Sequence, residues 1–521
     1  MELVRENIIL NRHIGRERSQ MLLEGDIIVP DVKPDIASVL KTNARVFISK
    51  VNASVGRVSY SGKLSVDILY LAKAGEVSVH SISTTAHIDD FLNMEGVSPN
   101  MWIDISSYLA NIDYRIVNDR KLNYRAVVDV EAAAWENASF EMVQSINNLP
   151  PTQQKNAYFT MSNMVAKQMD QFTVRDEVVL PPNKPAIKEL LQVGLSIANK
   201  EISLADGRVD ISGDLVIAPL YKGLEDASII EFAEFELPFS GSLEVDAASV
   251  GGFGDVNLFL ADHIIHIGPD GEGEDRILGI DATIGADIKI SQNQEICILE
   301  DAYCIEQNLD IKTQSLDYFK LICRNKNQFN AKETVSLTGA PEMLQVLQVS
   351  GIARMDDKKV VEDKVVVEGI IEANILYVAN SDIDPIYNYT AHIPIRQVIE
   401  TKGARLGMEA NVTHAMDSIG FNMLSGNEVE LRFTMAFDTL IQENIETMFI
   451  QDIEFNPLNK EDMENLPSMV VLVAQKGDSL WSVAKKYNAD LEELAAINDM
   501  EATSELSAGQ KLLIVKKVVE E

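Results

Sequence analysis

His263 and His266 are the one close histidine pair in the chain, in the stretch ADHIIHIGPDGEGED. Two imidazoles can share a metal ion, but three residues apart on a strand they point to opposite faces, which is poor geometry for chelation. The acidic run Asp270–Asp275 offers the oxygen ligands that calcium takes. It lacks the twelve-residue loop pattern, however, and suits a solvated hairpin turn better. Gly251-Gly252-Phe253-Gly254 is too short to cradle a phosphate and no helix pattern follows it. Cys297, Cys304 and Cys323 are odd in number and none sits in a CxxC pair, so neither a disulfide framework nor a four-thiolate zinc site is indicated. Reduced thiols in a cytoplasm-like compartment are the plain reading. GxxxxGK[ST], HExxH and GxSxG do not occur. Carboxylates are abundant enough for some to lie close together, but nothing singles out a catalytic pair. The chain is therefore expected not to be an enzyme, with no catalytic residue, cofactor or metal.

The charge narrows the partners. Acidic residues number 80 and basic residues 45, a net charge of −35 over 521 residues. A field of that sign repels phosphate backbones and anionic lipid, and favours a partner with basic patches in salt-sensitive association. At 46% hydrophobic and 24% charged residues the chain should fold into several domains rather than stay disordered. No apolar run is long enough to span a bilayer, and no apolar stretch follows a basic start at the N-terminus, so neither membrane insertion nor export is expected.

What would position any site is a long internal repeat. Segments beginning at Pro34, Pro185 and Pro341 align without a gap. The same offsets lead to Leu40, Leu191 and Leu347, to Gly62, Gly213 and Gly369, and to Tyr70, Tyr221 and Tyr377. A period this long makes each copy a domain in its own right. After each proline, apolar residues at helical spacing (Ile36, Val39, Leu40; Ile187, Leu190, Leu191; Met343, Val346, Leu347) predict a short helix. The period then changes towards two, with a β-branched bias, and the repeated glycines fall inside strand-like runs, where they predict a bulge or a close backbone approach. Each copy is therefore expected to be a mainly antiparallel β domain, sandwich-like, and its repeated Pro, Leu, Gly and Tyr to build the fold rather than a site.

The C-terminal region has a different grammar. Residues 456–468, NPLNKEDMENLPS, predict a linker. Beyond them come a strand from Val470, the turn Lys476-Gly477-Asp478, and a helix capped by Ser479 with Leu480, Val483, Ala484 and Tyr487 on its inner face. A second helix capped by Asp490 and a last strand entered through Gly509-Gln510 complete a β-α-α-β order. Trp481 and Lys485 fall off the inner face of the first helix, which makes Trp481 a candidate anchor for a partner or a sugar ring.

Gly477-Asp478-Ser479-Leu480, the apolar helix, Asn498 and Gly509-Gln510-Lys511-Leu512 resemble the LysM motif over nearly its whole length. LysM domains usually bind N-acetylglucosamine chains in a shallow groove between the loop after the first strand and the loop before the last. Two departures stand here, Leu472 for the usual aromatic and Ala508 for the usual proline. The segments IIVPDVKPDI…SGKLSVDILYLA and VVLPPNKPAI…ISGDLVIAPLYKG look like the SPOCS domain of spore coat proteins. The third copy departs most at its start, with Leu337-Thr338 in place of Val29-Pro30 and Leu180-Pro181. Three such copies plus a terminal LysM resemble the SipL type of spore morphogenetic protein. The domains expected are SPOCS-like repeats at 1–150, 151–325 and 326–455, a linker at 456–468 and LysM at 469–517. The resemblance implies a mother-cell scaffold at the forespore surface that helps a coat-basement ATPase of the SpoIVA type encase the forespore. It also implies partner binding through the LysM, for which Gly477, Asp478, Ser479, Trp481, Lys485, Asn498 and Gly509 are the candidate residues. The alternative from another class is a glycan-binding protein of peptidoglycan or cortex.

Overall fold

The computed structural model describes residues 2–73, 78–147, 152–224, 230–381, 385–457 and 469–515. Strands fill nearly all of the first 457 residues. The first unit runs β1 (Glu2–Ile28), β2 (Ile36–Ser54), β3 (Arg57–Ala72), β4 (Val79–Asn93), β5 (Trp102–Asn118) and β6 (Lys121–Asn147). The second runs β7 (Thr152–Val179), β8 (Ile187–Ala205), β9 (Arg208–Gly223), β10 (Ile230–Phe232), β11 (Phe235–Glu244), β12 (Phe253–Pro269) and β13 (Asp275–Cys304). The third runs β14 (Gln307–Ser336), β15 (Met343–Val361), β16 (Lys364–Ala379), β17 (Ile386–Glu400), β18 (Glu409–Ser425) and β19 (Glu428–Pro457). Residues 307–325, grouped by sequence with the second copy, thus belong to the first strand of the third. That strand lies upstream of the proline on which the repeat was aligned, so its boundary carried no motif.

Each unit is an antiparallel sandwich. In the first, the sheet β1-β6-β5 faces the sheet β2-β3-β4, and the other two repeat this order. The core between the sheets comes from alternate positions, such as Val58, Tyr60, Leu64, Val66 and Ile68 on β3 against Leu122, Tyr124, Ala126 and Val128 on β6. Equivalent clusters fill the second and third units.

The short helix expected after each repeated proline is absent; those residues open β2, β8 and β15. The apolar spacing of three comes from paired β-bulges. On β2, Ala37 and Leu40 are left out of the register with β3, and Lys188 and Leu191 on β8, like Leu344 and Leu347 on β15, repeat the pattern. Each bulge inserts one residue and resets which face follows, so two in succession imitate a helical period. The repeated glycines sit where expected. A Cβ on Gly62, Gly213 or Gly369 would lie 2.1, 3.0 or 2.2 Å from the carbonyl oxygen of Phe47, Ala198 or Arg354, each beside a further bulge. The repeated tyrosine and proline prove to be partners. Tyr70, Tyr221 and Tyr377 donate hydrogen bonds to the carbonyls of Pro34, Pro185 and Pro341 at 3.0, 3.2 and 2.8 Å.

The weaker start of the third copy also has a cause. Arg120 holds the loop of the first unit through the carbonyls of Pro30 and Lys33, and Arg276 holds that of the second through Pro181 and Lys184. In the third, Asn427 stands in the arginine's place, and the loop keeps the backbone bond that all three copies share, Val29 to Arg120, Leu180 to Arg276 and Leu337 to Asn427.

The units close into a ring: β4 lies against β8, β10 against β15, and β17 against β2. The bulged leucines sit at its centre. Leu40, Leu191 and Leu347 share one apolar cluster with Leu69, Leu220 and Leu376 and with Val79, Ile230 and Ile386, three positions each supplied by all three copies. Below the sandwiches the long outer strands continue as two-stranded ribbons, which pack into a stem. Its core takes Val143 and Ile146 from the first unit, Leu299 and Ala302 from the second, and Ile450 and Ile453 from the third. Bulges at Gln144, Glu300 and Gln451 turn these pairs inward.

Candidate functional site

The C-terminal module is β20 (Met469–Val473), α1 (Leu480–Tyr487), α2 (Leu491–Ile497) and β21 (Lys511–Val515), with β20 antiparallel to β21. Of the expected linker, residues 456 and 457 end β19 and 458–468 lie outside the described residues, as do 516 and 517 at the end of the expected LysM. Ser479 caps α1 in a reciprocal box with Ser482, and Asp490 caps α2 by accepting from the Glu493 N–H. Leu480, Val483 and Ala484 bury the inner face of α1, and Tyr487 packs against the same core.

The seven candidate residues separate into three groups. Gly477, Asp478, Ser479 and Gly509 shape the loop after β20 and the loop before β21. Gly477 and Gly509 take φ of +100° and +89°, the left-handed region that suits glycine. The Asp478 carboxylate accepts from the Gln475 N–H at 2.8 Å, and a bridge between Ser479 and Glu505 joins the loops. Asn498 is a staple. Its amide donates to the carbonyls of Leu494 and Leu513 at 2.8 Å each and accepts from the Leu513 N–H at 2.6 Å, tying α2 to β21. Trp481 and Lys485, one helical turn apart, face the second unit. Trp481 donates from Nε1 to Asp301 Oδ2 at 2.8 Å, and Lys485 Nζ donates to Asp301 Oδ1 at 2.5 Å.

Around that carboxylate the module and the tip of the second ribbon interlock. The rings of Tyr303 and Trp481 meet edge to face with centroids 5.0 Å apart, and the Tyr303 hydroxyl donates to the Ala489 carbonyl at 2.8 Å. Tyr303 is only 4% exposed and belongs to the core of the module, and burial raises its pKa above the ordinary phenol range. Asn488 donates to the Cys304 carbonyl at 3.3 Å and Gln153 to Asp490 at 3.0 Å. Sequence reasoning missed Asp301, Tyr303 and Gln153. The repeat continues unmarked into the ribbons, where Asp301 and Tyr303 stand in line with Ser145 and Asn147 of the first copy and Asp452 and Glu454 of the third.

Elsewhere the chemistry follows the unit boundaries. Glu189 of the second unit meets His80 and Lys33 of the first at 3.5 and 3.8 Å, and pairs with its own Lys222 at 2.9 Å. The hydrogen bond from His80, joined by Lys222, holds its carboxyl down to about 2. Asp104 of the first unit meets Lys289 and Lys167 of the second at 2.6 and 3.3 Å; burial alone would raise its pKa, but the two lysines pull it below the usual range. Between the units lies a cavity of about 1760 Å³ lined by Arg45, Lys63 and Asp67, by His263, and by Arg354 and Lys358. His263 and His266 both sit on β12, three apart, so they do not converge. The acidic run is the hairpin between β12 and β13: the Asp270 carboxylate accepts from the N–H groups of Glu272 and Glu274 and faces Arg276.

Comparison with known families agrees with this division. The model described as SipL, SPOCS domain matches residues 35–117, 186–267 and 342–424, and the LysM domain model matches residues 473–515. The chain has the SipL-type architecture, three SPOCS domains followed by a LysM domain. That family ties it to sporulation and coat assembly. The SPOCS matches stop before β6, β13 and β19, so the stem that holds the LysM lies outside the matched segments. No curated protein and no solved structure matches the chain. No helix of the described residues is long and apolar enough to cross a membrane.

Proposed function

We propose that the chain is a non-enzymatic scaffold of endospore coat assembly, acting in the mother-cell cytoplasm at the forespore surface and holding a SpoIVA-type coat-basement ATPase through its LysM domain. The observation that carries this reading is the placement of one LysM at the end of a three-unit stem, with Gly477, Ser479 and Gly509 exposed to solvent. An adaptor needs two bound ends held at a fixed separation. Here the ring offers broad surfaces to coat proteins while the module offers one compact site, and linked weak contacts gain strength through effective concentration. The charge of −35 favours partners that present basic patches.

The test is co-purification. The tagged full chain is offered the SpoIVA-type ATPase and, in parallel, purified peptidoglycan. Retention of the ATPase without pelleting on peptidoglycan is the expected result. Pelleting on peptidoglycan, with the ATPase in the flow-through, assigns the LysM loops to N-acetylglucosamine chains instead.

A further inference from the structure

We infer that Trp481 and Lys485 work inside this chain: they are positioning residues that clamp the LysM to the tip of the second ribbon through Asp301, and a partner of the LysM is met by the loops around Gly477–Ser479 and Gly509 instead. The clamp stands on the geometry alone; the statement about the loops rests on reading the LysM as a partner-binding module.

An exposed aromatic with a neighbouring lysine is what a docking site for another molecule looks like in sequence. In the folded chain both groups already have a partner. Both oxygens of one carboxylate are engaged, Oδ2 by the Trp481 N–H and Oδ1 by the Lys485 ammonium together with the Ala302 N–H. A foreign ligand using either group would have to strip that carboxylate of a charge-assisted bond and pull the Trp481 ring from Tyr303. The other polar contacts with the second unit come from the same edge of the module, Asn488, Ala489 and Asp490. Among the described residues none is seen from Gly477, Asp478, Ser479 or Gly509.

The clamp also chooses among near-identical tips. The three ribbons present equivalent ends, but only the second carries both the carboxylate and the aromatic. The first offers Ser145 and Asn147. The third offers Glu454 beside an Asp452 that is already paired with Arg5 at 2.7 Å. The tether runs from Pro457 on the third ribbon, yet the module sits on the second. Side-chain chemistry, rather than chain connectivity, therefore fixes its place.

The experiment introduces a protease site within residues 458–468 of the full chain and cuts the folded protein. Size exclusion then asks whether residues 469–521 stay with the rest. Retention is expected for the unsubstituted chain. Asp301→Ser with Tyr303→Asn, which copies the first tip, should weaken retention by at least about tenfold, since charge-assisted bonds and a buried aromatic are lost together. Asp301→Asn, which keeps the shape and removes the charge, should fall between. Release of the module from the unsubstituted chain, or full retention by the double variant, overturns the clamp. This arm contains neither ATPase nor glycan, so it stands whether or not the proposed function does. In a second arm the uncut variants are offered the ATPase. Asp301→Ser and Trp481→Ala should lose the same share of retention, with no further loss when combined. Loss in Trp481→Ala alone, or tighter binding in Asp301→Ser, overturns the positioning role.

Discussion

Lys41 shows how one side chain can depart from the symmetry around it. It follows the bulged Leu40, and the equivalent places after Leu191 and Leu347 hold Gln192 and Gln348. Its ammonium is buried between the first and third units with the Ser350 hydroxyl at 2.8 Å, and burial lowers its pKa from 10.5 to about 8. The folded chain thus holds this proton less tightly than the unfolded chain, and between about pH 8 and 10 its stability should rise with pH. Lys41→Gln should raise stability at pH 7 by roughly 1–3 kcal/mol and flatten that rise; thermal unfolding at pH 7 and pH 9 measures both. Gly62 fails for the opposite reason, lack of room. Its added Cβ would meet a backbone oxygen at 2.1 Å, so Gly62→Ala should cost roughly 3 kcal/mol. At Gly56, where nothing lies within 4 Å but φ is +69°, the same change should cost about 1 kcal/mol. Denaturant unfolding of the two variants separates crowding from backbone conformation.

At the level of elements, legibility followed the range of the interactions. The LysM could be read from sequence because its caps and apolar faces are local: Ser479 and Asp490 accept from the N–H groups of Ser482 and Glu493, three residues on. The strand-rich, sandwich-like units were legible from alternation and from glycines inside strands, and Gly62, Gly213 and Gly369 all have the close backbone approach that pattern implies. The paired bulges misled, since Ile36, Val39 and Leu40 keep the spacing of a helix while lying on a strand. The meeting of Leu40, Leu191 and Leu347 was out of reach for another reason. A bulged leucine carries no mark of whether it lines its own core or a neighbour's. Asp301 was equally silent, because apart from the neighbouring Ala302 N–H its donors, Trp481 and Lys485, lie about 180 positions away.

At the level of the molecule, the three unit interfaces are not alike. That between the first and second units depends on two carboxylates, Glu189 and Asp104, whose pKa values are both lowered by folding. Such groups stabilise the folded state above their unfolded pKa and lose that contribution as pH falls through the folded value. The first–second interface should therefore loosen as pH drops from about 4.5 towards about 2, with faster hydrogen exchange along β4 and β8 than along β15 and β17. Equal exchange at all three interfaces would show that the carboxylates do not matter there.

A ring of three like units can be made from three identical polypeptides, but each would then bring its own LysM, and the assembly would carry three. Writing the copies in tandem breaks that equality. It sets the stoichiometry at one module per ring, and it lets each tip change by itself, so that Asp301 and Tyr303 could arise at one without appearing at the others. In an assembly that spreads over a surface, subunits with three equal hooks would branch in every direction, whereas a subunit with one hook has a front and a back. Tandem copies supply the single hook, and the divergence of the three ribbon ends decides where on the ring it sits.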